Sequence, residues 1–137
     1  MIHRILLAVD GSEAAERAVP VAGELAGKSG SEVLVLHVRG IGVGRAAAFE
    51  LESIDEAANL TDRTVRWLKD AGVSARGDVR TALHGREAKE ILEAVKAEDV
   101  DLIVMGSRGL GDLAGLLLGS VTHKVLHLAD RPVLIVR

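Results

Sequence analysis

Glycines followed by a hydroxyl residue suggest where this chain could bind a phosphate group. The segment 106–109, Gly-Ser-Arg-Gly, is followed after nine residues by Gly119 and Ser120. Glycine lets a backbone approach an anion closely, and a helix beginning at Ser120 would offer free amides and a favourable dipole. The glycines could instead only turn a tight loop while Ser120 only caps the helix. Spacing and position together favour the phosphate interpretation.

A second candidate is the turn Asp10-Gly11-Ser12, which follows an apolar segment. A carboxylate at the tip of a strand can bind a ribose, hold a metal-bound water or assist hydrolysis. No nucleophile, base and orienting acid assemble as a motif around it. At most slow hydrolysis of a bound nucleotide is predicted here, and no catalytic residue is assigned.

Two further stretches imitate known sites. Residues 22–31, AGELAGKSGS, lack only the first glycine of a P-loop, but helical periodicity places them at the end of a helix rather than at its start. His123 and His127 imitate the zinc-protease pattern, but Lys124 replaces its glutamate, so a solvent-facing helix with Val121, Val125 and Leu128 inward is preferred. His37, in an apolar segment, is interpreted as a hydrogen-bonded core residue.

These residues must be positioned by alternating strands and helices. Helical spacing behind the N-cap Ser12 predicts a first helix that stops near Gly27 and Gly30, and a second from Leu51 to Gly72 in which Trp67 packs. The glycine-rich 40–44 is predicted to be a mobile connection. Short apolar runs predict buried strands at 4–9, 32–38, 101–105 and 133–136, while alternation over 73–83 predicts a charged edge strand. The chain is therefore a single α/β domain, residues 1–137, built on a parallel, helix-covered sheet.

Composition excludes several classes of protein. Lys and Arg number 17 against 20 Asp and Glu, Phe49 and Trp67 are the only aromatic residues, and there is no cysteine. A nucleic-acid partner is not expected, because neither a basic stripe nor stacking rings are present. No apolar run is long enough for a membrane span, and nothing requires an oxidising compartment, so a cytoplasmic protein is predicted.

The pattern G-x-x-G, nine residues, G-S, placed after a buried strand and before a helix, resembles that of the ATP-binding branch of the universal stress protein family. The resemblance runs from Ile5 to Val136. It implies a Rossmann-like, open five-stranded parallel sheet of order 3-2-1-4-5 with helices on both faces. The poorest match is 39–49, which leaves the outer wall of the base pocket open.

The resemblance also implies which residues bind nucleotide. Asp10 would reach the nucleoside and Gly106 the ribose. Arg108, at a free position, could reach a phosphate or remain solvated. The adenine pocket would be lined by Ala8, Val9, Val38 and Met105, and the phosphates would be held by Gly109, Gly119, Ser120 and Val121. Ser107, inside the motif, is also assigned to the nucleotide site.

The resemblance makes a nucleotide-dependent stress-response sensor or binding module the first functional hypothesis. Its cofactor would be ATP with Mg²⁺ or Mn²⁺, the metal being held mainly by phosphate oxygens and water. A slow ATPase or nucleotidyl-transferring enzyme is the alternative, and an interaction module without nucleotide is a third. Family members commonly dimerise. The apolar segment 133–136, at a predicted sheet edge, predicts a homodimer through that strand.

Overall fold

The computed structural model describes residues 1–44, 48–50, 52–109 and 118–137 as strands and helices in alternation. The strands are β1 (Arg4–Ala8), β2 (Glu32–Val43), β3 (Ala48–Glu50), β4 (Ala75–Leu83), β5 (Leu102–Gly106) and β6 (Val133–Val136). The helices are α1 (Glu13–Ser29), α2 (Ile54–Asp70), α3 (Glu87–Ala97) and α4 (Ser120–Leu128). None of these helices is both long and apolar enough to cross a membrane.

The described strands form one sheet whose five parallel members run β4-β2-β1-β5-β6. Numbered by parallel strands alone, this is the predicted order 3-2-1-4-5, which is confirmed. The short β3 is antiparallel and pairs with the end of β2, with Gly42 opposite Phe49. The prediction that 40–44 is a mobile connection is therefore wrong for 40–43, which continue β2.

Both faces of the sheet are covered by helices, as predicted. Helices α1 and α2 cover the face that carries Ile5, Leu7, Val33, Val35 and Val104, and α3 and α4 cover the face that carries Leu6, Leu34, Leu36, Ile103 and Met105. The near-continuous apolar strands follow from this two-sided burial, because every side chain of a central strand meets a helix.

The stretch that imitates a P-loop belongs to the first helix. Residues 22–29 lie inside α1, where Lys28 forms a 2.8 Å ion pair with Glu24. Gly30, with φ of 69°, ends the helix in the left-handed conformation that favours glycine. Gly27, by contrast, is still helical, so only Gly30 acts as the stop. The predicted helix end is confirmed, and its amides serve the helix.

The second helix differs from its prediction in two ways. It begins at Ile54, with Ser53 as N-cap, and Leu51 lies outside the described residues. Trp67 packs only in part, since 48% of its surface is exposed. Its ring lies beside α1 at Gly23, where an added Cβ would be 3.5 Å from the indole.

Charged side chains pair with one another at the amino end of the sheet. Arg76 donates to Glu32 at 2.9 Å and to Glu98 at 2.5 Å, and the bond to Glu98 lowers the pKa of the Glu98 carboxyl. Asp101 accepts the backbone amides of His3 and Arg4 at 2.7 and 3.0 Å. Because these bonds favour the carboxylate, they lower the pKa of Asp101.

Candidate functional site

A cavity of about 520 Å³ opens at the carboxyl ends of β1, β2 and β5. The first turn of α4 and the beginning of α3 close its other sides. Most of the predicted site residues line this cavity: Ala8, Val9, Asp10, Val38, Met105, Gly106, Gly109, Ser120 and Val121. Residues that are far apart in sequence therefore meet where an open parallel sheet binds its ligands.

Ser107 and Gly119 do not line the cavity but hold its wall together. The Gly119 amide donates to the Ser107 carbonyl at 2.7 Å, and the Ser107 amide donates to Val136 of β6, also at 2.7 Å. The hydroxyl of Thr122 donates to the Gly106 carbonyl at 2.8 Å. These bonds fix the start of α4 against the end of β5.

The start of α4 differs by one residue from the sequence interpretation. Gly119 is the N-cap, and Ser120 is the first residue inside the helix, so Ser120 does not cap it. The first described bond within the helix runs from the His123 amide to the Gly119 carbonyl. The amides of Ser120, Val121 and Thr122 have no helical carbonyl one turn earlier to which they can donate. This end of the helix is therefore suited to an anion.

Gly106 is required by packing as well as by its position in the cavity wall. A Cβ built on it would lie 2.6 Å from the amide nitrogen of Ala15 and 2.7 Å from the carbonyl carbon of Ala14. Both are backbone atoms of α1, which cannot move aside as a side chain could. The sequence interpretation related this glycine to a ligand or to a tight turn, and it missed the close packing of α1 against it.

The turn after β1 ties α1 to the loop after β5. Gly11 has a φ of 82°, and the Ser12 amide donates to Oδ1 of Asp10 at 2.9 Å. The Ser12 hydroxyl accepts from the Ala15 amide and donates to the Arg108 carbonyl, both at 3.2 Å. Ser12 is the predicted N-cap, and it also holds the two glycine-bearing turns together.

The backbone of β2 turns unused hydrogen-bonding groups toward the cavity. The carbonyl of Leu36 accepts from Val9 on the β1 side, whereas that of Ile41 accepts from an amide just after β4. Because backbone groups along a strand alternate between its neighbours, those of Val38 point to the β1 side. Strand β1 has ended there, and the pairing with β3 starts only at Ile41. The amide and carbonyl of Val38 thus face the gap that the cavity occupies.

A buried histidine and a glutamate form part of the cavity wall beside this gap. His37 is 4% exposed, and its Nδ1 lies 2.7 Å from the Val9 carbonyl while Nε2 lies 2.5 Å from Oε1 of Glu52. The prediction of a hydrogen-bonded core histidine is confirmed. Glu52 was not predicted, and neither were His84 and Glu87, which also line the cavity. No spacing in the sequence links Glu52 to the cavity.

The histidine pair of α4 lies elsewhere. His123 and His127 are exposed, their rings stack with centroids 6.4 Å apart, and neither lines the cavity. Val125 faces inward as predicted, but Leu128 is 63% exposed, so that part of the prediction is wrong. Across the described part of the chain, no three His, Asp or Glu side chains are grouped as metal ligands.

Comparison with known proteins gives consistent results along the whole chain. The family model described as Universal stress protein family matches residues 1–137. Universal stress protein YxiE of Bacillus subtilis is 36% identical, with all of both chains covered. The structure of MJ0577 from Methanocaldococcus jannaschii superposes with a TM-score of 0.82 at 30% identity, covering 99% of this chain and 96% of that one. The universal stress protein from Archaeoglobus fulgidus, solved in complex with dAMP, gives 0.76 at 26% identity, covering 100% and 98%.

Proposed function

The chain belongs to the universal stress protein family, and from this premise we propose that it binds ATP with Mg²⁺ or Mn²⁺ in the cavity at the carboxyl end of the sheet. In this proposal it acts as a nucleotide-dependent sensor or binding module in a stress response. One observation carries the proposal: an aliphatic compartment and the amide-bearing start of α4 open into the same cavity.

The base would occupy the aliphatic compartment. Ala8, Val38, Ile91 and Met105 line it, and the described lining contains no aromatic side chain except histidine. The Val38 amide and carbonyl supply one donor and one acceptor for the edge of a purine. A relative in the same family, from Archaeoglobus fulgidus, was solved with dAMP, which supports an adenine nucleotide as the ligand.

The phosphates would bind at the start of α4. The first amides of the helix are directed there by the bonds that Gly119 and Thr122 make to 106–107. The helix dipole favours negative charge at this end. The divalent cation would be held by phosphate oxygens and water, since Mg²⁺ binds proteins through few direct ligands.

Catalysis is a secondary possibility centred on Asp10. Its carboxylate lines the cavity while accepting the Ser12 amide, so a bound nucleotide would have a carboxylate nearby. We propose slow hydrolysis at most, because no residue has been assigned as a nucleophile. Phosphate release measured against the amount of bound nucleotide distinguishes a binding module from an ATPase.

The deciding experiment is calorimetric titration of the protein with Mg·ATP, together with thermal unfolding. We expect one site per chain, and a stabilisation of about 2.7 kcal/mol when ATP is present at a hundred times Kd, because ATP binds only the folded state. The matched control is Lys28→Ala, at the imitation P-loop, which should leave the affinity unchanged. No heat of binding and no thermal shift at millimolar ATP would refute the proposal.

We also propose that the protein forms a homodimer through 133–136. In the described sheet β6 pairs only with β5, and Leu134 is 36% exposed on this apolar edge. The opposite edge, β4, instead carries Arg76, Asp78 and Arg80, whose charges discourage edge-to-edge pairing. Leu134→Lys should shift sedimentation to the monomer, whereas Ile135, which packs on the core, is less suitable for the test. An unchanged dimer would place the interface elsewhere.

A further inference from the structure

We propose that the carboxylate of Glu52 recognises the 6-amino group of the purine and makes the cavity select adenine over 6-oxo purines. The inference rests on the proposed function, and it assigns the choice of base to a residue outside the glycine motif. It follows from how hydrogen-bonding groups are used at the aliphatic end of the cavity.

The first step is the position of the carboxylate. The Val9 carbonyl can only accept, so Nδ1 of His37 must carry a proton. The other ring nitrogen lies 2.5 Å from Oε1 of Glu52, and a hydrogen bond there requires a second ring proton, on Nε2, when Glu52 is ionised. Through this bond the buried ring holds that oxygen in place. Arg39 donates to the backbone carbonyl of Glu52 at 3.2 Å, which fixes the main chain as well.

The second step concerns the other oxygen of the Glu52 carboxylate, Oε2. Among the described residues Oε2 of Glu52 has no hydrogen-bond partner, and the side chain is 26% exposed and lines the cavity. Its oxygens can only accept when ionised. The wall of the cavity thus offers an unused acceptor on a positioned side chain.

The third step places this acceptor at the base rather than at the phosphates. Glu52 is bonded to His37, which precedes Val38 in β2, and both Glu52 and Val38 line the cavity. Successive side chains of a strand leave opposite faces of the sheet, so Glu52 lies on the α2 face, across β2 from the aliphatic compartment that the Val38 side chain lines. The start of α4, where the phosphates are proposed to bind, is contributed by a different part of the fold, beyond β5. The carboxylate would therefore approach the edge of the base beside the Val38 backbone, from the α2 face.

The fourth step is why a carboxylate is needed. The Val38 amide and carbonyl can pair with N1 and the 6-amino group of adenine. In hypoxanthine the donor and the acceptor are exchanged, so the same backbone groups can pair with N1–H and the 6-oxo group only if the base shifts or turns over in the cavity. Glu52 opposes such a shifted pose, because it can accept the second N–H of a 6-amino group, whereas a 6-oxo group would face its negative charge. Discrimination of this kind is strong because the wrong base leaves charged groups unpaired.

The test compares Mg·ATP with Mg·ITP, which differ at position 6 and in the protonation of N1. We expect the wild-type chain to bind ATP roughly 10- to 100-fold more tightly, the range for a hydrogen bond to a charged group. Glu52→Gln should reduce this ratio to within about threefold, because the amide can donate to the 6-oxo group. The matched control is Glu56→Gln, an exposed residue one turn further along, which should keep the wild-type ratio.

Each outcome bears on a different statement. If the wild-type chain binds neither nucleotide, the proposed function fails. If it binds both equally, or if Glu52→Gln keeps the ratio, the assignment of Glu52 is overturned while nucleotide binding stands. An equal loss for both nucleotides would place Glu52 at the ribose and also overturn it.

A measurement on the wild-type chain keeps the proposal testable if Glu52→Gln does not fold. Purine riboside triphosphate, which has hydrogen at position 6, should bind more weakly than ATP and more tightly than ITP. It lacks both the N–H that the Val38 carbonyl accepts and the N–H that Glu52 accepts, so its loss of affinity relative to ATP should exceed the roughly 10-fold of one neutral hydrogen bond. A loss of roughly 10-fold or less would overturn the assignment.

Discussion

The two ends of the parallel sheet use their polar groups in opposite ways. At the amino end charged side chains and backbone groups satisfy one another, as Arg76 does with Glu32 and Glu98 and as Asp101 does with the first residues of β1. At the carboxyl end the Val38 backbone and the first amides of α4 are directed into a cavity. The polar groups named at the amino end are therefore paired within the fold, whereas those named at the carboxyl end face a cavity.

The difference separates residues that stabilise the fold from residues that recognise a ligand. Polar groups facing an open cavity are solvated, so leaving them without protein partners costs the fold little. Mutations at the amino end should change stability without changing binding, and the reverse is expected at the carboxyl end. Three variants test how sharp this separation is.

The largest loss of stability is expected from Gly106→Ala. This variant lies at the carboxyl end, so it is an exception to the rule that only changes at the amino end alter stability. The added Cβ would clash with backbone atoms of α1 at Ala14 and Ala15, so α1 must shift. We expect a loss of about 3 kcal/mol in the free energy of unfolding, the range for overpacking against groups that cannot move. Urea unfolding measures it.

The control for Gly106→Ala is Gly27→Ala, inside α1, where an added Cβ meets nothing within 4 Å. That change should stabilise the protein by about 0.5–1 kcal/mol, because alanine favours a helix interior. Full stability in Gly106→Ala would mean that α1 is not seated on this glycine.

The second variant, Gly119→Val, should weaken ATP binding much more than it lowers stability. Gly119 has a φ of −69°, which any residue adopts, so valine introduces no backbone strain there. Valine is a poorer N-cap, and we expect a loss of about 1 kcal/mol in stability. Its methyl groups should obstruct the amides of α4 and weaken ATP binding about 100-fold, or about 2.7 kcal/mol. Titration with ATP beside urea unfolding measures both, and full affinity would refute the phosphate assignment.

The smallest effect is expected at the amino end, from Asp101→Asn. The bonds from His3 and Arg4 lower the pKa of this carboxyl below its unfolded value, so their contribution is present above that value and is lost as the pH falls through the folded pKa. The wild-type chain should have a higher melting temperature than the variant at pH 6, and the gap should narrow progressively as the pH falls below about 3.9. ATP affinity should be equal in the two. A gap that persists at pH 2 would show that charge is not its source.

The alternation of strands and helices could be predicted from sequence because each buried strand is a short apolar run with a helical pattern beside it, whereas the order of the strands was implied only by the resemblance to the family. The imitation P-loop could be rejected for the same reason, since Ala22 and Ala26 lie on the inner face of α1. The end of β2 could not be predicted. Gly40 and Gly42 disfavour a strand, and only the pairing of Gly42 with Phe49 and of β4 with the rest of β2 overrides that preference.

The candidate site was predictable only where a local motif carries it. The residues around 106–109 and 119–121 have a spacing that can be recognised, and the tip of β1 is located by the fold class. Glu52 reaches the cavity through a histidine fifteen residues earlier, and nothing in the local sequence of either residue indicates the pairing. The clash that fixes Gly106 depends on how closely α1 packs, which has no counterpart in sequence spacing.

The pairing of β1 with β5 has a kinetic consequence. Ile5 lies opposite Leu102, so the centre of the sheet closes only when two strands separated by most of the chain meet. Contacts between distant parts of a chain form slowly, because the loop between them must first be closed. The β1–β2 unit can assemble earlier from contacts closer in sequence. The cavity lies across the late junction, so a ligand that bound there would stabilise only the completed sheet and would not assist the early steps of folding.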